Sequence, residues 1–263
     1  SRNLILSHAV GTGAPLDDEV VRAAILVRAN TLAKGFSGVR LEVIETLLAL
    51  LNKNVTPVVP SQGSLGSSGD LAPLSHLALV FTTDQNDLES ESGYACFEGK
   101  PVSGKEAMAR AGIDRLILGP KEGLALNNGA TFSAAIAALA VYDAETLLKT
   151  AEVSVAMSLE AVMGCAAAFD DRLHAARGQQ GQRRVAEAVR KHIQGSQLLD
   201  AYGRVQDAYS LRCAPQVQGV AWDTFHFVKS IVETEINAAT DNPLLFEPGI
   251  AVSGGNFHGE PVG

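Results

Sequence analysis

The sequence predicts a mainly α fold, a bundle of long helices whose connecting loops carry the chemistry. Apolar residues recur at helical spacing along most of the chain. β-Branched alternation is scarce and aromatics reach only 5%, which argues against a β sandwich. The longest apolar-rich stretch, Glu122 to Met163, is Ala-heavy on almost every face, as in a helix buried among other helices. With 263 residues, 46% of them hydrophobic, the chain can build one large domain or two small ones around a sizeable core. No internal repeat is visible.

Leu16 to Ala33 opens on Asp17, Asp18 and Glu19, acidic residues that suit a helix N-terminus, and places Val20, Ala23, Ala24 and Val27 at helical spacing. Gly35 supplies its stop. Val39 to Leu51 repeats the pattern through Val43, Ile44, Leu47, Leu48 and Leu51. A loop rich in Pro, Ser and Gly follows from Val55 to Asp70, and then a short apolar helix, Leu71 to Phe81, with Pro73 in its first turn. Thr82 to Pro101 is polar, with Tyr94, Cys96 and Phe97 alternating as in a short strand. Gly104 to Ala111 reads as a small helix. Beyond the long Glu122–Met163 stretch, Gln182 to Gln194 is charged and amphipathic, and Ser196 to Leu211 has no clear period. Gln216 to Ala239 reads as another long helix, closed by the turn signal Thr240-Asp241-Asn242-Pro243.

Charge and cysteine content narrow the function. Lys+Arg 21 against Asp+Glu 29 gives a net charge of −8, which disfavours a sequence-independent nucleic-acid binder. Cys96, Cys165 and Cys213 lie far apart without a CxxC pair, a usage that suggests a reducing compartment and no structural zinc. His76, His174, His192, His226 and His258 adopt no metal-ligand spacing, and no metal is expected. Arg2 and Asn3 interrupt the apolar start, so no signal peptide is read there. The best membrane candidate, Ala130 to Tyr142, meets Asp143 and Glu145 short of the roughly 20 residues a span needs. The expectation is a soluble, cytoplasmic protein without membrane contact.

The informative stretch is Gln62-Gly63-Ser64-Leu65-Gly66-Ser67-Ser68-Gly69-Asp70-Leu71-Ala72-Pro73. As a flexible linker it is unusual, because it runs straight into an apolar helix with Asp70 at the cap. As a phosphate nest it lacks the Lys-Ser/Thr ending of a P-loop, and Asp70 would repel an anion. A third reading is backbone chemistry. Gly69 has no Cβ, so its amide nitrogen can approach the Ser67 carbonyl carbon in a tight turn. Ring closure and loss of two waters, one involving the Ser68 hydroxyl, would leave an exocyclic methylene from the Ser68 Cβ. The product would be 4-methylideneimidazol-5-one, an electrophile no ordinary side chain provides.

Residues 63 to 74 resemble the pattern Gly-Ser-x-Gly-Ala-Ser-Gly-Asp-Leu-Ala-Pro-Leu of the histidine ammonia-lyases, within the aromatic amino acid lyase and aminomutase superfamily that makes this cofactor from its own backbone. Ser67 stands where the family has Ala, and the side chain at that position is not consumed. Other blocks match in the family's order: Asn3-Leu4-Ile5-Leu6-Ser7-His8-Ala9, Leu124-Ala125-Leu126-Asn127-Asn128-Gly129, and Gln206-Asp207-Ala208-Tyr209-Ser210-Leu211-Arg212-Cys213 with Ala208 where Pro is common. So do Glu235-Ile236-Asn237 through Asp241-Asn242-Pro243-Leu244, and Ser253-Gly254-Gly255-Asn256-Phe257-His258-Gly259-Glu260-Pro261.

The resemblance implies an aspartase/fumarase-like helical fold and elimination of ammonia from L-histidine to give trans-urocanate. It makes Ser67, Ser68 and Gly69 the source of the cofactor and places the Tyr209 phenol before the electrophile. It makes Arg212 the carboxylate clamp, a role its forked guanidinium suits, and turns Gln206 to the same place if that stretch is one helical turn. It sets Asn128 on the substrate amine or cofactor, Phe257 at the cofactor's border and His8 on the imidazole ring. His8 followed by Ala9, and the Ser-Leu-Arg-Cys ending at Cys213, favour histidine over tyrosine and phenylalanine. Without the resemblance, Arg212 reads as a surface ion pair, Tyr209 and Phe257 as packing residues, Asn128 as a turn residue before Gly129, and His8 as a hydrogen-bonded structural histidine.

The resemblance also implies that residues 1–263 are the central part of one catalytic domain about twice this length. The usual base, a tyrosine in an earlier loop, and a glutamate from C-terminal helices would then fall outside, leaving this chain alone inactive or nearly so. Relatives are homotetramers whose sites combine residues of three subunits. The rival readings are a tyrosine ammonia-lyase or aromatic aminomutase on the same scaffold, and a non-catalytic assembly subunit.

Overall fold

A seven-residue helix, α1 (Arg2–His8), opens the chain, although periodicity alone does not reveal it. The buried guanidinium of Arg2 anchors it, donating to the Thr82 hydroxyl at 2.5 Å and the Glu91 carbonyl. The strand β1 (Thr12–Pro15) leads into α2 (Asp18–Ala33), which starts at the expected acidic cluster and stops before Gly35 in the left-handed region at φ +82°. Next comes α3 (Leu41–Asn52), within two residues of the predicted bounds. The segment Val55–Asp70, expected to be irregular, contains two short strands, β2 (Thr56–Pro57) and β3 (Pro60–Gln62). Their partners are remote, β3 pairing with β1 and β2 with the later β5, so local sequence carries no sign of them.

The helix α4 (Leu71–Phe81) has the predicted bounds. Beyond it lie β4 (Thr82–Thr83), the expected strand β5 (Tyr94–Phe97), its hairpin partner β6 (Lys100–Ser103), and α5 (Gly104–Ala111). The Ser103 hydroxyl caps α5 by accepting from the Glu106 amide at 3.1 Å. The strand β7 (Leu116–Ile117) pairs in parallel with β4.

The long apolar stretch does not form one helix. It breaks into α6 (Glu122–Asn127) and the 31-residue α7 (Thr131–Ala161), because Asn128 is extended and Gly129 sits at φ +118°. Asp143 and Glu145 do not end α7, which is long and apolar enough by length and composition to cross a membrane. Nor is it covered on all faces in the isolated chain, since Tyr142, Leu147 and Met157 stand exposed. The chain continues through α8 (Asp171–Arg177), α9 (Gln180–His192), α10 (Tyr209–Arg212), α11 (Ala214–Glu235) and a hairpin of β8 (Leu244–Glu247) and β9 (Ile250–Val252).

All 263 residues are described in the computed structural model, and they divide into two units. The first comprises residues 1–139 and 231–263, and the second residues 140–230. The first unit's core packs Ile25, Leu47, Leu74, Leu77, Phe81 and Met108, with α4 lying against α1 and α6. The second gathers Leu159, Phe169, Val185, Val189 and Phe225 around Trp222, whose ring the Arg184 guanidinium overlies at 3.5 Å.

The half-buried His76 of α4 links the helix to the loop after α1, its Nε2 accepting the Gly11 amide at 3.0 Å. That bond requires neutral imidazole, and burial pushes the His76 pKa down from 6.5. A lowered histidine pKa contributes stability that is complete above the unfolded value and declines as pH falls toward the native one, because the unfolded chain binds the proton more readily. The urea midpoint of the first unit is therefore expected to fall below about pH 6.5, and His76→Gln to flatten that decline. Identical pH profiles for parent and variant would remove His76 from this role.

Candidate functional site

The Gly69 amide donates to the Gly66 carbonyl at 3.1 Å, closing a turn with Ser67 and Ser68 exposed at its tip. Gly69 lies at φ +77°, and a Cβ built on it would come within 2.3 Å of the Gly129 nitrogen. Only glycine satisfies both conditions. The Asp70 amide donates to the Gly129 carbonyl at 2.8 Å, so the two glycine backbones lie side by side as in a parallel ladder. On the other side of the turn the Gly66 carbonyl also accepts the Gly259 amide, at 2.8 Å.

Asn128 makes the decisive side-chain contact. Its Nδ2 donates to the Ser68 carbonyl at 3.0 Å, while its Oδ1 is buried without a partner. Such an orphaned acceptor is costly in a finished fold. The donated bond draws electron density from the carbonyl next to the Ser68 Cα and so makes the Cα hydrogen more acidic.

Asp70 sits at the N-cap position of α4 yet does not cap it. Its buried carboxylate accepts from the Ser64 hydroxyl at 2.7 Å and from the Ser133 amide and hydroxyl at 2.9 and 3.1 Å. It thereby ties the start of the turn to the first residues of α7. A cleft of about 440 Å³ beside the turn is lined by Ser64, Ser67, Ser133, His258 and Glu260 among others. The Ser67 hydroxyl makes no hydrogen bond that would compete within the turn. His258, whose Nδ1 accepts the Glu260 amide at 3.2 Å, lines this cleft, while Phe257 is half-buried one residue earlier. Sequence reasoning singled out Phe257 and passed over His258 and Glu260, although both belong to the same matching block.

His8 ends α1 with its Nδ1 against the Leu4 carbonyl at 2.9 Å and the Ser7 hydroxyl at 3.0 Å, which fixes the ring and leaves Nε2 unengaged. No hydrogen bond joins it to the turn.

The remaining predicted residues lie in the second unit, where they converge on one another. Arg212 closes α10, donates from Nη1 to the Gln206 Oε1 at 2.5 Å, and stands over the Tyr209 ring at 4.6 Å. Its Nε is buried without a partner. Gln206 lies in coil and not on a helical turn, and reaches Arg212 because Asp207 is pinned, its carboxylate accepting the Cys165 amide at 2.6 Å. Tyr209 is 71% exposed, so its phenol is free of the chain's own core.

The model of the aromatic amino acid lyases matches residues 1–263, the whole chain. The chain belongs to the aromatic amino acid lyase family. It is 52% identical over 264 residues to a histidine ammonia-lyase of Caldanaerobacter subterraneus subsp. tengcongensis, covering 99% of this chain and 50% of that protein. One of Geobacillus kaustophilus is also 52% identical over 262 residues, with the same coverage. Among solved structures of the family, the histidine ammonia-lyase of Trypanosoma cruzi superposes with a TM-score of 0.87 at 39% identity, covering 99% of this chain and 48% of that one. The phenylalanine aminomutase of Pantoea agglomerans gives 0.89 at 31% identity, covering 99% and 52%. The chain spans about half the length of the curated relatives it matches. These neighbours establish the ammonia-lyase fold, in agreement with the mainly helical architecture expected from sequence.

Two glycines of the site make different demands. A Cβ on Gly129 would meet the Thr240 carbonyl oxygen at 2.6 Å, whereas one on Gly66, also in the left-handed region, would enter open space. Gly129→Ala is expected to destabilise the first unit by about 3 kcal/mol or more, from backbone strain plus overlap, and Gly66→Ala by roughly 1 kcal/mol from strain alone. Urea unfolding of both variants measures the difference, and equal costs would contradict the close packing at Gly129.

Proposed function

We propose that the full-length protein carrying this chain eliminates ammonia from L-histidine and releases trans-urocanate, using an electrophile made from Ser67-Ser68-Gly69. The observation that carries this reading is the turn itself, with Gly69 against the Gly129 backbone and the Ser68 carbonyl held by Asn128. Ring closure joins the Gly69 nitrogen to the Ser67 carbonyl carbon. That carbonyl oxygen leaves as water with the amide hydrogens of Gly69 and Ser68, and a second water takes the Ser68 hydroxyl and its Cα hydrogen. The residues present fit the product, since position 69 has no room for a side chain and the Ser67 side chain takes no part. As 4-methylideneimidazol-5-one, residues 67–69 would supply a methylidene carbon electrophilic enough to engage the substrate amine.

The chain's own groups bind and orient. The Asn128 Oδ1, buried and unpartnered, accepts from a protonated or neutral amine. The Arg212 fork takes the carboxylate in two parallel charge-assisted bonds, with Gln206 steadying one arm. The Tyr209 phenol, with the Arg212 cation over its ring, is assigned to holding or moving a proton. His8 presents its unengaged Nε2 to the substrate imidazole, and Phe257 is assigned an apolar border. Fixed orientation of this kind supplies a large share of a lyase's rate gain.

Histidine is favoured over other aromatic amino acids by the histidine ammonia-lyases among the relatives at about half identity and by Ser7-His8-Ala9. Coverage of half of each relative supports reading residues 1–263 as part of a single catalytic domain. Exposed Tyr142, Leu147, Met157, Val217, Val220 and Phe227 in the second unit favour burial against further chains, in keeping with a homotetramer. Three free cysteines favour a reducing, cytoplasmic setting.

Supplied with L-histidine, L-tyrosine and L-phenylalanine, the full-length protein is expected to release ammonia and urocanate from histidine alone. A β-amino acid product would move it to the aminomutases, and no product from any of the three would sink the lyase reading. Arg212→Lys keeps the charge and loses the fork, and is expected to lower kcat/KM for histidine about 10- to 100-fold, mainly through KM. Unchanged steady-state constants would remove Arg212 from the carboxylate.

A further inference from the structure

Behind the turn lies a charged residue to which the reaction assigns no task. Arg28, in the middle of α2, is 0% exposed. Its Nη1 donates to the carbonyls of Ala125 at 3.2 Å and Asn128 at 2.9 Å, and its Nη2 donates to the Thr131 hydroxyl. These acceptors bracket the break between α6 and α7, which presents Asn128 to Ser68 and Gly129 to Gly69. A Cβ on Gly129 would also meet the Arg28 Nη2, at 3.1 Å, so guanidinium and glycine are in close packing.

Arg28 is an expensive way to fill this space. Burial lowers its pKa to about 10, partly offset by Asp241 and Asp70, so it remains charged at neutral pH. No carboxylate pairs with it directly, and its Nε has no partner. A methionine would fill a similar volume without the desolvation penalty, but a planar guanidinium alone fixes three acceptors on two helices and the link between them.

We propose that Arg28 is a positioning residue for formation of the electrophile. Its guanidinium sets the 125–131 backbone and, through Asn128 and Gly129, holds Ser67-Ser68-Gly69 in the shape from which the Gly69 nitrogen closes on the Ser67 carbonyl carbon. The bonds made and the two waters lost are those given above, and no further reactant is needed. The inference rests on the electrophile reading.

Intact mass and peptide mapping across Gln62 to Leu71 of the purified full-length protein test both. A parent lacking two waters at 67–69 supports the electrophile reading, and a parent at unmodified mass overturns that reading and this proposal with it. Given a cyclised parent, Arg28→Met is expected to cut the cyclised fraction at least about tenfold, with Arg28→Lys in between because it keeps the charge without the fork. Leu47→Ala, a core change in α3 away from the turn, should destabilise the protein yet leave the fraction at the parent's level. A folded Arg28→Met that cyclises like the parent overturns the proposal, as does a Leu47→Ala that loses cyclisation equally, since the effect would then be one of general stability. Should Arg28→Met fail to fold, Thr131→Val removes one acceptor at constant shape. Sampled during expression, its cyclised fraction is expected to lag the parent's at least about threefold, and one that keeps pace overturns the proposal.

Discussion

Everything at the turn depends on two glycine backbones lying where a side chain would otherwise be. Gly69 and Gly129 approach so closely that a Cβ on the first would overlap the main chain of the second. The contact constrains both partners, giving Gly69 its positive φ and, by breaking the long apolar stretch at Gly129, ending α6 early enough for Asn128 to point at Ser68. Asp70 continues the constraint through Ser133 into α7, and Arg28 and Thr240 crowd Gly129 in turn. The helices of the first unit thus act as a frame around a piece of main chain whose conformation and close approach only glycine permits.

The second unit achieves its precision differently. Gln206, Tyr209 and Arg212 sit on a short helix and the coil before it, elements with little stiffness of their own. Asp207 supplies it by burying its carboxylate against the Cys165 amide, so that an otherwise irregular segment presents Gln206 to Arg212. An exposed arginine usually gains little from a nearby acceptor. Here the cation also stands over the Tyr209 ring, so several weak contacts act on one orientation.

Helices whose apolar residues repeat over several turns were legible in the sequence, as α2, α3, α4 and α5 show to within two residues. Short strands such as β2 and β3 were not, because their stability comes from partners elsewhere in the chain. The division of the Glu122–Met163 stretch was hidden for a related reason. Asn128-Gly129 carries a turn signal, but the Ala- and Leu-rich run on either side reads as continuous helix, and the break is held by contacts of Gly129 with Gly69, Thr240 and Arg28 that lie far off in sequence. At the candidate site, sequence singled out the turn by its glycines and Asn128 by its motif, and the structure brings Asn128 against the Ser68 carbonyl. Arg28 was passed over although it stands three, four and seven residues from Ile25, Ala24 and Val21, on the face of α2 that the structure buries. His258 and Glu260 stood inside a matching block but carried no pattern of their own.

The bond between Asp70 and Ser133 spans 63 positions of sequence. Residues 64–70 leave the ribosome well before their partners, and at that stage the nascent segment is an ordinary polar loop with neither Gly129 nor Asn128 to shape it. Long-range closures of this kind form late, after the loop entropy between them has been overcome. The arrangement therefore acts as a clock: the turn at Ser67-Ser68-Gly69 takes its shape only once the first unit has assembled around it.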